Sequence, residues 1–305
     1  MLFRSLARGA PPRFAVTEGQ MNRRAFLKTA AAIAVAPVAG ESAELKAAGV
    51  RRVRPGQPGW PSRAKWESLQ RQVEGRLLAL KSPLEACRDK PGTFDVGSLF
   101  KNLQNPFFVG DNPALTQSLG WVDAWTTAAS VYAVAAANTA DVVAAVNFAR
   151  ENNLRLVVKG GGHGYKGGSC APDSLLIWTR GMNEITLHER FVARGCEEKQ
   201  APRPAVTVGA GAIWGQVYHT VTTKGGRYVQ GGSCTTVGVA GLIQSGGFGQ
   251  FSKAYGLASA ALLEAEIVTA DGSVQIANPC TNPDLFWALK GGGAGSFGVV
   301  TRLTL

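Results

Sequence analysis

Two side chains in this sequence combine nucleophilic chemistry with an unusual glycine context. His163 stands in Lys159-Gly160-Gly161-Gly162-His163-Gly164-Tyr165, and Cys234 in Gly231-Gly232-Ser233-Cys234-Thr235-Thr236-Val237-Gly238-Val239-Ala240-Gly241. Successive glycines let backbone N–H groups come close to an anion, as a pyrophosphate cradle requires. A ring nitrogen and a thiolate at the rims of such a cradle can also bond to what it holds. The histidines are His163, His188 and His219, and none has a His or Cys partner at metal-site spacing, so no metal is expected.

The bland readings are a hydrogen-bonding loop histidine and a small buried cysteine. Context argues against both. His163 follows the apolar run Leu156-Val157-Val158, and glycine turns after strands are where backbone amides bind phosphates. Cys234 is followed by Val237-Gly238 and then by Gly246-Gly247-Phe248-Gly249. Competing motifs fail. Gly209-Ala210-Gly211-Ala212-Ile213-Trp214-Gly215 has its third glycine one residue late for a dinucleotide fingerprint, with Trp214 where close helix packing is needed. Neither a GxxxxGK loop nor a GxSxG turn occurs. Glu264 and Glu266 read as the polar face of a strand.

The paired glycine stretches, about seventy residues apart and in this order, resemble bacterial FAD-linked oxidoreductases of the berberine bridge enzyme-like branch of the vanillyl-alcohol oxidase/p-cresol methylhydroxylase superfamily. The resemblance continues through Tyr255-Gly256-Leu257, Ala270-Asp271-Gly272 and Asp284-Leu285-Phe286-Trp287-Ala288 to Gly291–Val300. It implies an α+β fold, the two-subdomain FAD-binding domain of the PCMH type over residues 119–305, truncated before the substrate domain. It further implies one FAD attached covalently through His163 and Cys234. Gly160, Gly161, Gly162, Gly164, Tyr165, Gly232, Thr236, Val237, Gly238, Gly241, Gly246, Gly247, Gly298 and Val299 would line it. Two positions depart from the family pattern: Gly164 replaces the usual Ser, and Leu242 replaces a histidine often found near the flavin.

Relatives of this kind take a hydride from an alcohol, sugar hydroxyl or amine-bearing carbon and commonly return the electrons to oxygen. Their base comes from the substrate domain, so no catalytic residue is assigned here. The alternative reading is a truncated flavin-binding module without turnover.

The supporting elements follow from periodicity. Trp66, Leu69, Val73, Leu77 and Leu78 predict a helix over 63–80, in an arm spanning 49–118 that otherwise reads as irregular, with one short helix near Val96–Leu103. Thr139 is placed to cap a helix through Phe148. Strands are expected at Leu156–Val158, Ser174–Thr179, Ala205–Gly209, Gly226–Gln230, Glu264–Thr269, Val274–Ala277 and Phe297–Leu305. Helices are expected near Ile213–Thr223 and Asn282–Lys290, with Ala270-Asp271-Gly272 a hairpin turn.

Bulk properties fit a globular protein: 305 residues, 45% hydrophobic and 17% charged. The net charge of +11 does not indicate nucleic acid. Residues 1–40 contribute +5, and the remaining +6 is spread without a basic stripe. Met21-Asn22-Arg23-Arg24-Ala25-Phe26-Leu27-Lys28 and the apolar run Thr29–Ala39 resemble a twin-arginine export signal, over 21–48, with cleavage between Ala39 and Ala48. That makes Met21 the initiator, residues 1–20 an upstream over-call, the translocase a partner during export, and the destination periplasmic or secreted. The run is too short to span a bilayer, so no stable membrane insertion is expected. With Cys234 on the flavin, Cys87, Cys170, Cys196 and Cys280 could form up to two disulfides, in a pairing the sequence leaves open.

Overall fold

A computed structural model of the chain describes residues 51–89 and 95–305. The expected leader, 21–48, and residues 1–20 lie outside the described residues.

Two sheets organise the chain. The first joins β1 (Leu77–Ala79), β4 (Tyr132–Ala135), β5 (Arg155–Lys159) and β6 (Ser174–Trp178) in the order β1-β4-β6-β5, with the small separate hairpin of β2 (Gly120–Trp121) and β3 (Trp125–Thr126) between β1 and β4 in the chain. Strand β6 runs parallel to both neighbours, with Leu176 beside Ala133 and Val157. Leu175 and Ile177 pack into one core and Leu176 into another on the opposite face, so β6 is buried on both faces, which explains the unbroken apolar run. The second sheet is antiparallel, in the order β10-β9-β11-β8-β7. It is built from β7 (Ile185–Phe191), β8 (Arg203–Gly209), β9 (Glu264–Val268), β10 (Val274–Ala277) and β11 (Val299–Thr304). These are the two expected subdomains of the α+β fold.

The helix Thr139–Glu151 buries Val142, Ala145, Val146, Phe148 and Ala149 on the first sheet. Each buried valine or phenylalanine there contributes roughly 1.5–3 kcal/mol. Its cap is Asn138, one residue before the expected Thr139. Asn138 accepts from the Asp141 amide at 3.0 Å, and Thr139 instead donates to Glu266 on β9 at 2.7 Å. Buried Asp141 accepts from Arg76 Nη2 at 2.7 Å and from the Ala137 amide at 2.8 Å.

Several expectations need correction. The helix predicted over 63–80 covers only Arg63–Gln72, because Glu74 and Gly75 take positive φ and Gly75 N–H closes on Gln70 O at 2.8 Å. Leu77 and Leu78 then pair with Val134 and Ala133 in the first sheet. The arm also has more helix than expected. Pro83–Asp89 and Pro106–Gly110 flank the expected Val96–Leu103, and both start at a proline, which suits a first helical turn. Gly226–Gln230 is no strand and has no ladder partner among the described residues. The helix expected over Ile213–Thr223 is a short α turn, Trp214–Tyr218, continuing as a π-helical turn, His219–Lys224. The β9–β10 hairpin, the helix Pro283–Leu289 and β11 stand where expected. One disulfide links Cys196 and Cys280, while Cys87, Cys170 and Cys234 are free.

Candidate flavin site

Strand β5 carries the apolar run Leu156-Val157-Val158 directly into the Gly160–Gly162 turn, whose shape depends on a positive φ at Gly162. Two residues, Gln117 and Lys159, tie this turn to the segment on its N-terminal side. Gln117 N–H donates to Gly162 O at 3.0 Å. Lys159, only 2% exposed, donates through Nζ to Asn112 O at 3.0 Å, Leu115 O at 2.7 Å and Pro113 O. Burial pushes the Lys159 ammonium down to about 8.

The cysteine loop is held from the other sheet. Just after β8, Trp214 N–H donates to Val237 O at 3.0 Å and Gly215 N–H to Thr235 O at 2.8 Å, while Val239 N–H donates to Ala212 O at 3.0 Å. Trp214 is fully buried in the second core, which accounts for a bulky residue where a dinucleotide fingerprint needs a small one. Gly211 has a packing reason too: a Cβ there would lie 1.8 Å from Thr179 O.

The two glycine stretches press against each other, backbone on backbone. A Cβ on Gly161 would lie 2.6 Å from Thr236 O and 2.7 Å from Gly238 N, and one on Gly238 would lie 2.9 Å from Gly161 N. This contact brings the two nucleophiles together. His163 Nε2 lies 3.0 Å from Thr236 Oγ1, and Cys234 Sγ lies 3.4 Å from the same oxygen. His163 Nε2 and Cys234 Sγ are therefore no farther apart than the sum of those distances. Thr236 is buried, His163 is half-buried and Cys234 is exposed. Desolvation lowers the His163 pKa, and its contact with Thr236 opposes this.

The remaining expected residues divide by position. Gly160, Gly162, Gly164 and Tyr165 belong to the histidine turn. Tyr165 is exposed, and its carbonyl accepts from Trp125 Nε1 at 3.0 Å. Gly232 and Val237 belong to the cysteine loop, where the Gly232 carbonyl accepts from Tyr218 Oη. Burial raises that phenol to about 12, so it remains a donor at neutral pH. Gly241 has no heavy atom within 4 Å of an added Cβ. Gly246 and Gly247 both take positive φ, and Gly246 abuts Gly291. Gly298 directly precedes β11, which Val299 opens, and a Cβ on Gly298 would meet Val268 O at 2.4 Å. Strand packing explains that glycine, and no contact ties it to His163 or Cys234. Leu242 fills the space between Gly232 and Gly247: its side chain would lie 3.1 Å from a Cβ on the former and 2.3 Å from one on the latter.

Sequence reasoning missed Lys159 and Tyr218. A lysine ending an apolar strand just before a glycine turn was the available signal for the first. A cavity of about 330 Å³, bordered by Val206, Val221, Tyr228 and Tyr255, is lined by neither anchor. Among the described residues, no group of three or more His, Cys, Asp or Glu could hold a metal ion, and no helix is long and apolar enough to cross a membrane.

The donor set suits a flavin. The 8-methyl carbon and carbon 6 of its ring lie on the same benzenoid edge, flanking position 7, so attachment to both needs two nucleophiles a few ångströms apart. His163 and Cys234 are so placed, and one of them is open to solvent.

Comparison with known proteins agrees. Residues 131–278 match the FAD binding domain family. The chain is 39% identical to the FAD-linked oxidoreductase malF of Malbranchea aurantiaca over 81% of its own length and 45% of the relative's. It superposes on a VAO-type flavoprotein of Myceliophthora thermophila with a TM-score of 0.73 and 32% identity, over 83% of this chain and 48% of that one. It also resembles the glucooligosaccharide oxidase of Acremonium strictum, described as carrying a 6-S-cysteinyl, 8α-N1-histidyl FAD. That likeness has a TM-score of 0.51 and 28% identity, over 58% of this chain and 35% of the oxidase. The chain thus spans about half the length of the curated relatives it matches.

Proposed function

We propose that this chain, which belongs to the VAO-type FAD-linked flavoproteins, is the flavin-holding part of an oxidoreductase whose FAD is bound through both His163 and Cys234. The observation that carries the reading is the convergence of both side chains on Thr236 Oγ1 from loops about seventy residues apart. Support comes from the glucooligosaccharide oxidase, whose FAD carries one cysteinyl and one histidyl linkage.

When bound, the flavin would supply a two-electron acceptor for a hydride from an alcohol, sugar hydroxyl or amine-bearing carbon, with dioxygen as the final acceptor. The chain's own residues do the holding. Nε2 of His163 is occupied by Thr236, which leaves Nδ1 to form the linkage. The lowered pKa of His163 keeps the ring neutral, and hence nucleophilic, near neutral pH. Tyr218 fixes the Gly232 carbonyl beside the cysteine loop, and Leu242 presents an apolar surface between Gly232 and Gly247. Membership of the berberine bridge enzyme-like branch and a bacterial source belong to the same proposal, as does export through the twin-arginine route. The Cys196–Cys280 disulfide supports export, since such bonds persist in oxidising compartments.

The test is a denaturing gel of protein loaded with FAD. The band should fluoresce as flavin, each of His163→Ala and Cys234→Ala should retain one linkage, and the double variant should release all of it. Quantitative recovery of free FAD from denatured, loaded wild type refutes covalent attachment. Bleaching of the bound flavin under anaerobic alcohol, sugar or amine tests hydride transfer, and the same flavin unaffected by all three classes favours the binding-module reading.

A further inference from the structure

We propose that the Thr236 hydroxyl is the shared positioning group for both flavin linkages, accepting a hydrogen bond from Nε2–H of His163 while donating its own proton towards Cys234 Sγ. The inference rests on the covalent reading above and goes beyond it by assigning a role to a residue that itself forms no bond to the flavin.

The geometry is specific. A hydroxyl has one proton to donate and two lone pairs to accept with. Thr236 Oγ1 has both reactive side chains within reach, at 3.0 Å from His163 Nε2 and 3.4 Å from Cys234 Sγ. Its residue is 2% exposed, so bulk water does not compete for the hydroxyl. Its backbone is fixed on both sides, by Gly161 packed against Thr236 O and by the Trp214 and Gly215 amides bonded to the flanking Val237 and Thr235 carbonyls. The oxygen is thus a fixed point between two side chains from different sheets.

The role follows from which proton goes where. A neutral imidazole carries one N–H, and an oxygen that accepts from Nε2 keeps that proton on Nε2 and the lone pair on Nδ1. Nδ1 is then the atom the imidazole would offer to the 8-methyl carbon of a bound flavin. The hydroxyl proton, turned towards sulfur, stabilises the thiolate, which is the nucleophilic form of cysteine. Each attachment breaks one flavin C–H bond and one protein N–H or S–H bond and forms one C–N or C–S bond. It leaves the ring richer by two electrons and two protons, which dioxygen removes as hydrogen peroxide. Thr236 is unchanged overall.

The test measures covalent incorporation into apo-protein supplied with FAD in air, with flavin fluorescence of the denatured band read against time. Thr236→Val removes the hydroxyl at nearly constant volume, and Thr236→Ser keeps it. Each is combined with Cys234→Ala to isolate the histidyl linkage and with His163→Ala to isolate the cysteinyl one. Thr236→Val should slow each attachment roughly tenfold, the scale set by loss of one or two neutral hydrogen bonds, and Ser should restore the rate. The histidyl peptide is then isolated and its linkage assigned by NMR. Wild type and Ser should give one ring isomer and Val a mixture of Nδ1 and Nε2 adducts, a change that simple loosening of the loop would not produce. Wild-type rates and a single isomer in Thr236→Val overturn this inference and leave the covalent reading intact. Absence of covalent flavin in loaded wild type overturns both.

Discussion

Replacing Gly161 by alanine tests whether the site is built by direct contact between two loops. The φ at Gly161 is not in the left-handed region, so the whole effect is steric. The new Cβ would sit 2.6 Å from Thr236 O and 2.7 Å from Gly238 N, both backbone atoms that cannot swing away. Reaching an ordinary contact of about 3.5 Å requires the loops to part by roughly 1 Å. That separation would stretch the 3.0 Å contact between His163 Nε2 and Thr236 Oγ1 to about 4 Å, beyond hydrogen-bonding range. Overpacking of this kind costs about 1–3 kcal/mol. Urea unfolding followed by fluorescence should show that loss as a lower midpoint with unchanged slope, and the denatured band should carry much less flavin. Gly168→Ala is the control, because its Cβ would meet nothing within 4 Å. If Gly161→Ala matches Gly168→Ala in both midpoint and flavin content, the loops are not in contact and the site as described here is wrong.

Asp141→Ala leaves Arg76 with Glu74 alone and the Ala137 amide without its acceptor, and should lower the urea-unfolding midpoint clearly; an unchanged midpoint would contradict the pairing. Lys159 has its pKa lowered from 10.5 to about 8 by burial, so between those values the unfolded chain binds more protons and stability should rise with pH. At about 1.4 kcal/mol per unit the gain approaches ~3 kcal/mol, and Lys159→Met should flatten the profile measured from pH 7.5 to 10. Reducing Cys196–Cys280, which closes 84 residues, should lower stability by up to about 4–5 kcal/mol in unfolding with and without thiol. A reporter fused after residue 48 should leave the cytoplasm only where the twin-arginine translocase works, and Arg23→Lys with Arg24→Lys should retain it; export unchanged in a translocase-deficient strain would refute the leader.

Much of the frame was legible because apolar periodicity and turn chemistry are local. The Val96–Leu103 helix, the β9–β10 hairpin about Asp271-Gly272 and strand β5 entering its glycine turn all follow from neighbours in the chain. The misses have other causes. The arm around Pro83 and Pro106 reads as irregular, although a proline without N–H is equally suited to start a helix. Leu77 and Leu78 keep helical spacing with Leu69 and Val73, but the positive φ at Gly75 ends the helix and a partner strand claims them. Gly226–Gln230 has strand-like composition and no neighbour to pair with. In the last two cases the deciding group lies far away in sequence or depends on backbone sign, which composition does not carry. The Cys196–Cys280 pairing and the Lys159 clamp on residues 112–115 are non-local in the same sense.

The relative placement of the two sheets matters as much as either loop. His163 follows a strand of the first sheet, whereas the cysteine loop hangs on Ala212, Trp214 and Gly215 just beyond a strand of the second. Any rotation between sheets would separate the nucleophiles, and a few ångströms would suffice to lose one linkage. The structure opposes that rotation with a partly buried polar tie. Glu266 on β9 accepts from Thr139 at the start of the first sheet's helix and from Thr301 on β11 at 2.8 Å, and pairs with Arg302 at 3.0 Å. Burial alone would raise this carboxyl, but its hydrogen bonds and Arg302 lower it overall, so it stays ionised and bonded across the boundary. Val268 and Val299, from the second sheet, also pack into the first core. The polar face read from Glu264 and Glu266 is therefore partly an inter-sheet brace, and through it residues far from the flavin hold the spacing on which two-point attachment depends.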